Sequence, residues 1–147
     1  MTIKLNTTGY PLEIITPFIN MLQEKINQYE IPDEVTHITL KFTDPKYGER
    51  SGGFHPTDVQ LEKQTDGAWR IAALCDYCNF SHGKHPHFAK DLEFDFNRQL
   101  YHNICGVFSI DEAKEHFSSW QTNMVFFIQE HKAYDTDIQM HWTPNIR

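Results

Sequence analysis

Residues 54–80, FHPTDVQLEKQTDGAWRIAALCDYCNF, have the pattern of a β-hairpin. Apolar and polar side chains alternate as far as Lys63, and Gln64–Gly67 then supplies a polar, glycine-containing turn. The returning run begins at Trp69 and is apolar at every position from Ile71 to Leu74. Such a run is typical of a central strand that is covered on both faces or lies at a protein contact. We therefore expect the rest of a sheet to form on either side of this hairpin.

Further strands are predicted on both sides of the hairpin. Apolar and polar side chains alternate with a period of two over residues 36–42, which predicts a strand. Residues 2–6 alternate only weakly, and we expect them to form a short edge strand. Downstream, three apolar residues alternate with three acidic ones, which we expect on the solvated face: Leu92, Phe94 and Phe96 with Asp91, Glu93 and Asp95. Residues 104–108 are a candidate fifth strand.

Two amphipathic helices complete the prediction. The first follows Pro11, has apolar residues at steps of three and four, and ends before Pro32. The second begins at Ser109, which has the spacing of a capping box with Glu112, and runs to about Lys132. The links between strands are too short for parallel crossovers. We expect one α+β domain over residues 1–147, a two-layer fold with an antiparallel sheet of about five strands against an N-terminal and a long C-terminal helix.

Composition excludes several classes of partner. The chain has 147 residues and a net charge of -7, with no block of Lys or Arg that could neutralise a row of phosphates. We therefore expect no binding to nucleic acid or to anionic membranes. Residues 1–20 contain one lysine and no signal-peptide pattern, and no apolar run approaches the roughly 20 residues of a spanning helix. Three cysteines without an export signal indicate reduced thiols in the cytoplasm.

Residues 75–87 combine thiol and imidazole side chains. The candidate ligands are Cys75, Cys78, His82, His85 and His87. Thiolate and imidazole donors suit tetrahedral zinc. Cysteines three apart on a strand point to opposite faces, however, so a shared metal would need a sharp turn there. The alternative is that Cys75 is a small core residue and that the histidines lie in a solvated loop.

Aromatic residues suggest a binding surface. The last helix has more apolar side chains than one sheet face needs, including Trp120, Met124 and Phe127. They form either a thick core or the face of a homodimer. A sheet face lined by aromatic residues would also suit a small ligand, and we assign ligand binding to Phe54, His55, Trp69 and Tyr77. His55 follows two glycines and precedes a proline, so backbone can approach a ligand closely there, although a turn-capping role is the alternative.

Several segments together resemble a known family. They are Asp44-Pro45-Lys46-Tyr47, Gly52-Gly53-Phe54-His55-Pro56 leading into a strand, Leu92-Glu93-Phe94-Asp95-Phe96, and Trp120 on the last helix. This order resembles an uncharacterised bacterial domain of unknown function that is met mainly in marine gammaproteobacteria. The resemblance covers nearly the whole chain and implies a small stand-alone cytoplasmic protein that is carried on mobile gene cassettes. It implies no activity and no catalytic residues, and the cysteine–histidine cluster lies outside it.

These observations favour a non-enzymatic domain without a cofactor, which binds a small molecule or a protein and can form a homodimer. The second hypothesis is a zinc-binding protein or metal-dependent enzyme that uses the residues between Cys75 and His87. A third is a cysteine hydrolase that uses Cys105 with His55 or His102, but no nucleophile motif surrounds that cysteine.

Overall fold

The computed structural model describes residues 3–47, 53–82 and 85–142, with the backbone alone for residues 79–82 and 85–88. Within them the helices are α1 (Thr16–Ile26) and α2 (Lys114–Val125). The strands are β1 (His37–Thr43), β2 (Thr57–Lys63), β3 (Trp69–His82), β4 (His85–Asp95), β5 (Leu100–Asn103), β6 (Gly106–Ser109) and β7 (Asp135–His141). A 3₁₀ turn (Ile110–Ala113) precedes α2, and a π-helical turn (Phe126–Glu130) follows it.

All seven strands belong to one antiparallel sheet in the order β6-β5-β4-β3-β2-β1-β7. The α+β class and the antiparallel sheet are confirmed, and the hairpin of β2 and β3 lies at its centre. The sheet is wider than the predicted five strands because β5 and β7 were not recognised. Residues 2–6 form no edge strand within the described residues, where Leu5 makes a single bridge to Trp69.

Both helices cover the same face of the sheet. Apolar residues that alternate along β1, among them Leu40 and Phe42, are buried under them. The Trp120 ring of α2 contacts Phe18 of α1 and Phe94 of β4, with ring centroids 5.8 and 5.5 Å apart. Within the described residues, no helix combines the length and the apolar character that crossing a membrane requires.

The helix boundaries differ from the prediction at their starts. α1 begins at Thr16 rather than just after Pro11, because the Ile15 amide donates to the side chain of Gln121 (2.8 Å) and Ile15 itself has an extended backbone. The capping box at Ser109 is wrong. Ser109 makes no side-chain cap hydrogen bond, and the Ile110 amide donates to the carbonyl oxygen of Gln99 instead (3.0 Å).

A β-bulge in β4 changes the predicted row of acidic residues. Asp76 pairs with Leu92 and Tyr77 with Lys90, so Asp91 is an extra residue without a partner in β3. The row of three carboxylates is therefore broken at Asp91, while Glu93 stays in the regular register opposite Cys75.

Candidate functional site

A cleft of about 330 Å³ opens between the sheet and the C-terminal half of α2. Its walls come from the segment before β2, the middle of β3, α2 with the π-helical turn, and the segment before β7. The lining residues are Gly53, Phe54, His55, Asp76, Trp120, Asn123, Met124, Phe127 and Tyr134. We refer to this cavity as the cleft.

The carboxyl group of Asp76 is the polar centre of the cleft. Thr57 Oγ1 donates a hydrogen bond to Asp76 Oδ1 (2.6 Å), and Trp120 Nε1 donates to Asp76 Oδ2 (2.9 Å). Burial raises the pKa of Asp76 above its ordinary value, and these two hydrogen bonds and the nearby His55 offset only part of that effect. The site therefore holds a partly desolvated carboxyl group whose ionised form is disfavoured by burial.

The rim loop, residues 53–57, is fastened to the rest of the fold at several points. The Phe54 amide donates to Asp44 Oδ2 (2.9 Å), and the Tyr134 hydroxyl donates to the carbonyl oxygen of His55 (2.8 Å). The carbonyl oxygen of Pro56 accepts from the Tyr77 amide of β3 (2.9 Å). These bonds hold the rim in place without a ligand, so little conformational entropy is lost when one binds.

Gly53 is required by the geometry of this loop. Its φ is +92°, and an added Cβ would lie 2.8 Å from the Tyr47 backbone nitrogen and 3.0 Å from Asp44 Oδ2. Backbone does approach closely at Gly53, and the neighbour is the protein's own chain; close approach to a ligand stays a prediction. Gly53 lets the segments around Asp44 and Phe54 meet.

Aromatic rings form the walls of the cleft. Phe54 stacks on Phe127 with ring centroids 4.0 Å apart, and the ring centroid of Tyr134 lies 6.1 Å from that of Phe54. Burial raises the pKa of Tyr134, and the charge of Asp76 adds to the effect, so its hydroxyl is a neutral donor at ordinary pH. These rings provide flat apolar contact around the carboxyl group of Asp76.

His55 lies on the outer side of the cleft beside Asp91. His55 Nδ1 and Asp91 Oδ2 are 3.7 Å apart, and the Tyr47 ring meets the imidazole edge-on at 5.3 Å between centroids. Asp91 is the extra residue of the β4 bulge. A loop residue and a bulge residue thus form an acid–imidazole pair at the entrance.

The structure brings together two of the four predicted ligand-binding residues. Phe54 and His55 line the cleft. Tyr77 lies on the opposite face of the sheet, where its hydroxyl donates to Asp58 Oδ2 (3.1 Å), because it is the next residue along β3 after Asp76. Trp69 is 3% exposed at the other end of β3 and belongs to the core. Tyr77 and Trp69 are therefore not part of this cleft.

The structure describes the side chains of two of the five candidate metal ligands, Cys75 and Cys78. Cys75 is buried on the sheet face opposite the helices, and its thiol donates to Glu93 Oε2 (2.9 Å). Burial and that carboxylate raise its pKa, so the thiol stays protonated. Cys78 lies opposite Ala89 in β4. The side chains of His82, His85 and His87 lie outside the described residues, while the backbone pairs His82 with His85 and Phe80 with His87. The described part of the chain holds no cluster of three or more potential ligands; zinc binding stays a prediction.

Two other expectations concern surface residues. Trp120, Met124 and Ile128 are buried in the core of this chain, as the thick-core alternative requires. Phe126 remains 49% exposed, and the homodimer stays a prediction. Cys105 is exposed in the turn between β5 and β6, outside the residues that line the cleft.

Seven of the nine lining residues were not assigned to ligand binding from the sequence, among them Asp76, Trp120 and Tyr134. One sequence signal did mark Asp76, since it is an acidic residue directly after the apolar run from Ile71 to Cys75 in a central strand. A carboxyl group there must either face solvent or be held by donors, and the structure supplies the donors.

Comparisons with known proteins agree on the fold and name no activity. Two solved structures from Vibrio cholerae each cover 91% of this chain. The hypothetical protein VC0508 from the VSP-II pathogenicity island has a TM-score of 0.79, 22% identity and 99% of its own chain covered. The conserved hypothetical protein VC1805 from pathogenicity island VPI-2 has a TM-score of 0.76, 26% identity and 98% coverage, and is described as sharing structural homology with the human P32 protein.

No curated protein matches the chain. A family model described as "Protein of unknown function (DUF2787)" matches residues 16–140, from the first residue of α1 almost to the end of β7. The resemblance to an uncharacterised domain family is confirmed: this chain belongs to the DUF2787 family.

Proposed function

We propose that this protein is a non-enzymatic cytoplasmic domain that binds a small ligand in the cleft. The observation that supports the proposal is the combination of a concave cavity of about 330 Å³, aromatic walls and one partly desolvated carboxyl group. Small-molecule sites are typically cavities of about 300–1,000 Å³ with mostly apolar walls and few polar groups. The cleft has the size of such a site, and its walls combine aromatic side chains with polar groups.

The polar groups of the cleft favour binding over catalysis. Both oxygens of Asp76 already accept hydrogen bonds, and the Tyr134 hydroxyl donates to backbone. The thiol of Cys75 lies on the other face of the sheet, and Cys105 is in a distant exposed turn. Catalysis by a cysteine nucleophile requires a thiol within hydrogen-bond reach of a base, and the lining residues of the cleft include no thiol.

A larger groove of about 410 Å³ lies between residues 11–15 and α2. The amide of Gln121 in its wall is used internally, because Gln121 accepts from the Ile15 amide and donates to the carbonyl oxygen of Glu13 (2.8 and 3.0 Å). Its charged residues, Glu13, Asp111 and Lys114, are exposed. The groove offers no desolvated polar group that would orient a ligand, so we place binding in the cleft.

The proposed location in the cytoplasm is supported by the free thiols and by the odd number of cysteines. Cys75 and Cys105 are free thiols, and an odd number of cysteines in the chain favours a reducing compartment.

A fragment screen by NMR tests the proposal. A panel of monocyclic aromatic amines, alcohols and carboxylates would be titrated into ¹⁵N-labelled protein, with the indole signal of Trp120 assigned through Trp120→Phe. We expect saturable shifts of that signal and of residues 53–57 with at least one compound class. The matched variants are Phe127→Ala, which removes a wall of the cleft, and Phe126→Ala, which changes the exposed neighbouring ring.

The shifts should weaken in Phe127→Ala and persist in Phe126→Ala. Saturable shifts confined to the groove around Phe117, or no saturable shift with any class, would overturn the proposal.

A further inference from the structure

Resting on the proposed function, we propose that the ligand is a small organic cation, namely a protonated amine carried on a flat apolar group. The ammonium group would sit at the carboxylate of Asp76, and the flat group would lie among the rings of Phe54, Phe127 and Tyr134. No ligand chemistry follows from the family, so the argument depends on charge, hydrogen-bonding capacity and ring placement.

The charge around the cleft is negative. Asp76 lines it, Asp91 stands at its entrance beside His55, and the buried carboxylate of Asp44 lies directly behind Phe54. None of the lining residues in the described part of the chain is Lys or Arg, and His55 is the one lining side chain that can become cationic. An anionic ligand would meet repulsion here, and the chain as a whole has a net charge of -7.

Asp76 has capacity for a further donor. Each carboxylate oxygen has two lone pairs, and each oxygen of Asp76 accepts one described hydrogen bond, from Thr57 or from Trp120. A ligand ammonium can add N–H donors and at the same time supply the positive charge that the desolvated carboxylate lacks. A neutral hydroxyl can supply only a donor, and a carboxylate ligand supplies neither.

The rings are placed to receive the rest of the ligand. Phe54 and Phe127 form a stacked pair, and Trp120 reaches the same carboxyl group through its Nε1. Aromatic faces attract organic cations within about 6 Å of the ring centroid and provide apolar contact for a flat group. The cleft therefore combines an aromatic enclosure with a carboxylate, which together favour an arylalkylammonium over a neutral or anionic analogue.

Three probes of nearly equal size separate the possibilities: benzylammonium, benzyl alcohol and benzoate. Their dissociation constants would be measured by NMR from the Trp120 indole signal in the wild-type protein, in Asp76→Asn and in the exposed control Asp33→Asn. We expect benzylammonium to bind about tenfold more tightly than benzyl alcohol, and benzoate to bind most weakly. Asp76→Asn should bring benzylammonium and benzyl alcohol to nearly equal affinity, while Asp33→Asn should leave the ratio unchanged.

A salt titration of the wild-type protein gives a second readout that needs no variant. The affinity for benzylammonium should fall as salt rises, and the affinity for benzyl alcohol should not. If benzyl alcohol or benzoate binds in the cleft as tightly as benzylammonium, or if Asp76→Asn leaves the preference intact, this inference fails while the proposed function stands. If no probe or other compound of the fragment screen shifts the Trp120 signal saturably, both fail.

Discussion

Asp76 is a carboxyl group held between Thr57 and Trp120 at a place with restricted access to water. Burial makes its ionised form costly, and the two donors recover part of that cost. An isolated protein would gain stability by avoiding such a group in the centre of a sheet. Buried ionisable groups that lower the stability of the fold are found most often at binding and catalytic sites.

The first prediction concerns the pH dependence of stability. Because the pKa of Asp76 is raised in the folded state, its contribution is fully present below its ordinary pKa of 3.8 and is lost as the pH rises through the folded-state value. Asp76→Asn cannot titrate. Urea unfolding between about pH 4 and about pH 8 should show the variant gaining stability relative to the wild type as the pH rises.

The exposed control Asp33→Asn should follow the wild type across the same range. If the stability of Asp76→Asn relative to the wild type stays flat or falls as the pH rises, a raised pKa at Asp76 is contradicted.

The second prediction separates two costs of replacing a glycine, the strain of a positive φ and the steric clash of the added Cβ with neighbouring atoms. Gly53 and Gly67 have similar φ values of +92° and +88°, but only at Gly53 would a Cβ have a neighbour within 4 Å. Gly67→Ala should lower the free energy of unfolding by about 1 kcal/mol, and Gly53→Ala by about 2–3 kcal/mol. Equal losses in urea unfolding would mean that the contact with Tyr47 and Asp44 does not hold the rim loop.

At this scale the sequence predicted part of the site. Gly53, directly before Phe54, has a positive φ, which glycine adopts more readily than other residues, so the sequence did mark a position with special backbone geometry. Tyr77 was assigned to the same site although it lies on the opposite face. Strand alternation places Asp76 and Tyr77 on different sides, and the sequence alone did not show which side faces the helices.

Among the elements, the π-helical turn Phe126–Glu130 has the most direct effect on the cleft. It follows α2 and ends near Lys132, whose φ is +50°, and the Ala133 amide donates back to the carbonyl oxygen of Phe127 (3.1 Å). Wider turns of this kind are often found at functional sites. Here the turn directs Phe127 towards Phe54 and leaves Phe126 exposed.

The third prediction compares these adjacent phenylalanines. Phe127→Ala removes a partly buried ring that stacks on Phe54 and should lower the free energy of unfolding by about 1–3 kcal/mol. Phe126→Ala should change it by no more than about 0.5 kcal/mol. Chemical denaturation measures both, and a larger loss in Phe126→Ala would show that the π-helical turn is oriented differently.

The strands that the sequence did not predict are those with a weak alternation of apolar and polar residues. β5 has only four residues, and β7 begins with two aspartates within three positions and buries none of its side chains fully. Both strands form because their backbone amide and carbonyl groups pair with those of a neighbouring strand, β4 for β5 and β1 for β7. The bulge at Asp91 was equally hidden, since a register shift depends on the partner strand and leaves regular alternation in the sequence.

On the scale of the whole molecule, the two faces of the sheet differ in chemistry. The face opposite the helices has charge pairs between Lys41 and Asp58 (3.5 Å) and between Lys90 and Glu93 (2.9 Å). Burial alone would raise the pKa of Glu93, but hydrogen bonds from Cys75 and Lys90 outweigh it and lower that pKa. On this face these charged side chains pair with one another, whereas the helix face encloses the carboxyl group of Asp76.

The fourth prediction concerns metal. A domain that binds its ligand through the cleft and stays folded through its apolar core needs no zinc. Untagged protein prepared without chelator should contain zinc well below one ion per chain, and chelation should leave its melting temperature unchanged. One zinc per chain, lost on chelation together with several degrees of melting temperature, would favour the site between Cys75 and His87.

The most direct test of the account is the position of a bound probe. Intermolecular NOEs would be recorded between the ring protons of benzylammonium and selectively protonated protein. The account predicts NOEs to Phe127, Trp120 and Met124, which line the cleft. NOEs confined to Leu12 and Phe117 in the other groove, or none at saturating probe, would contradict it.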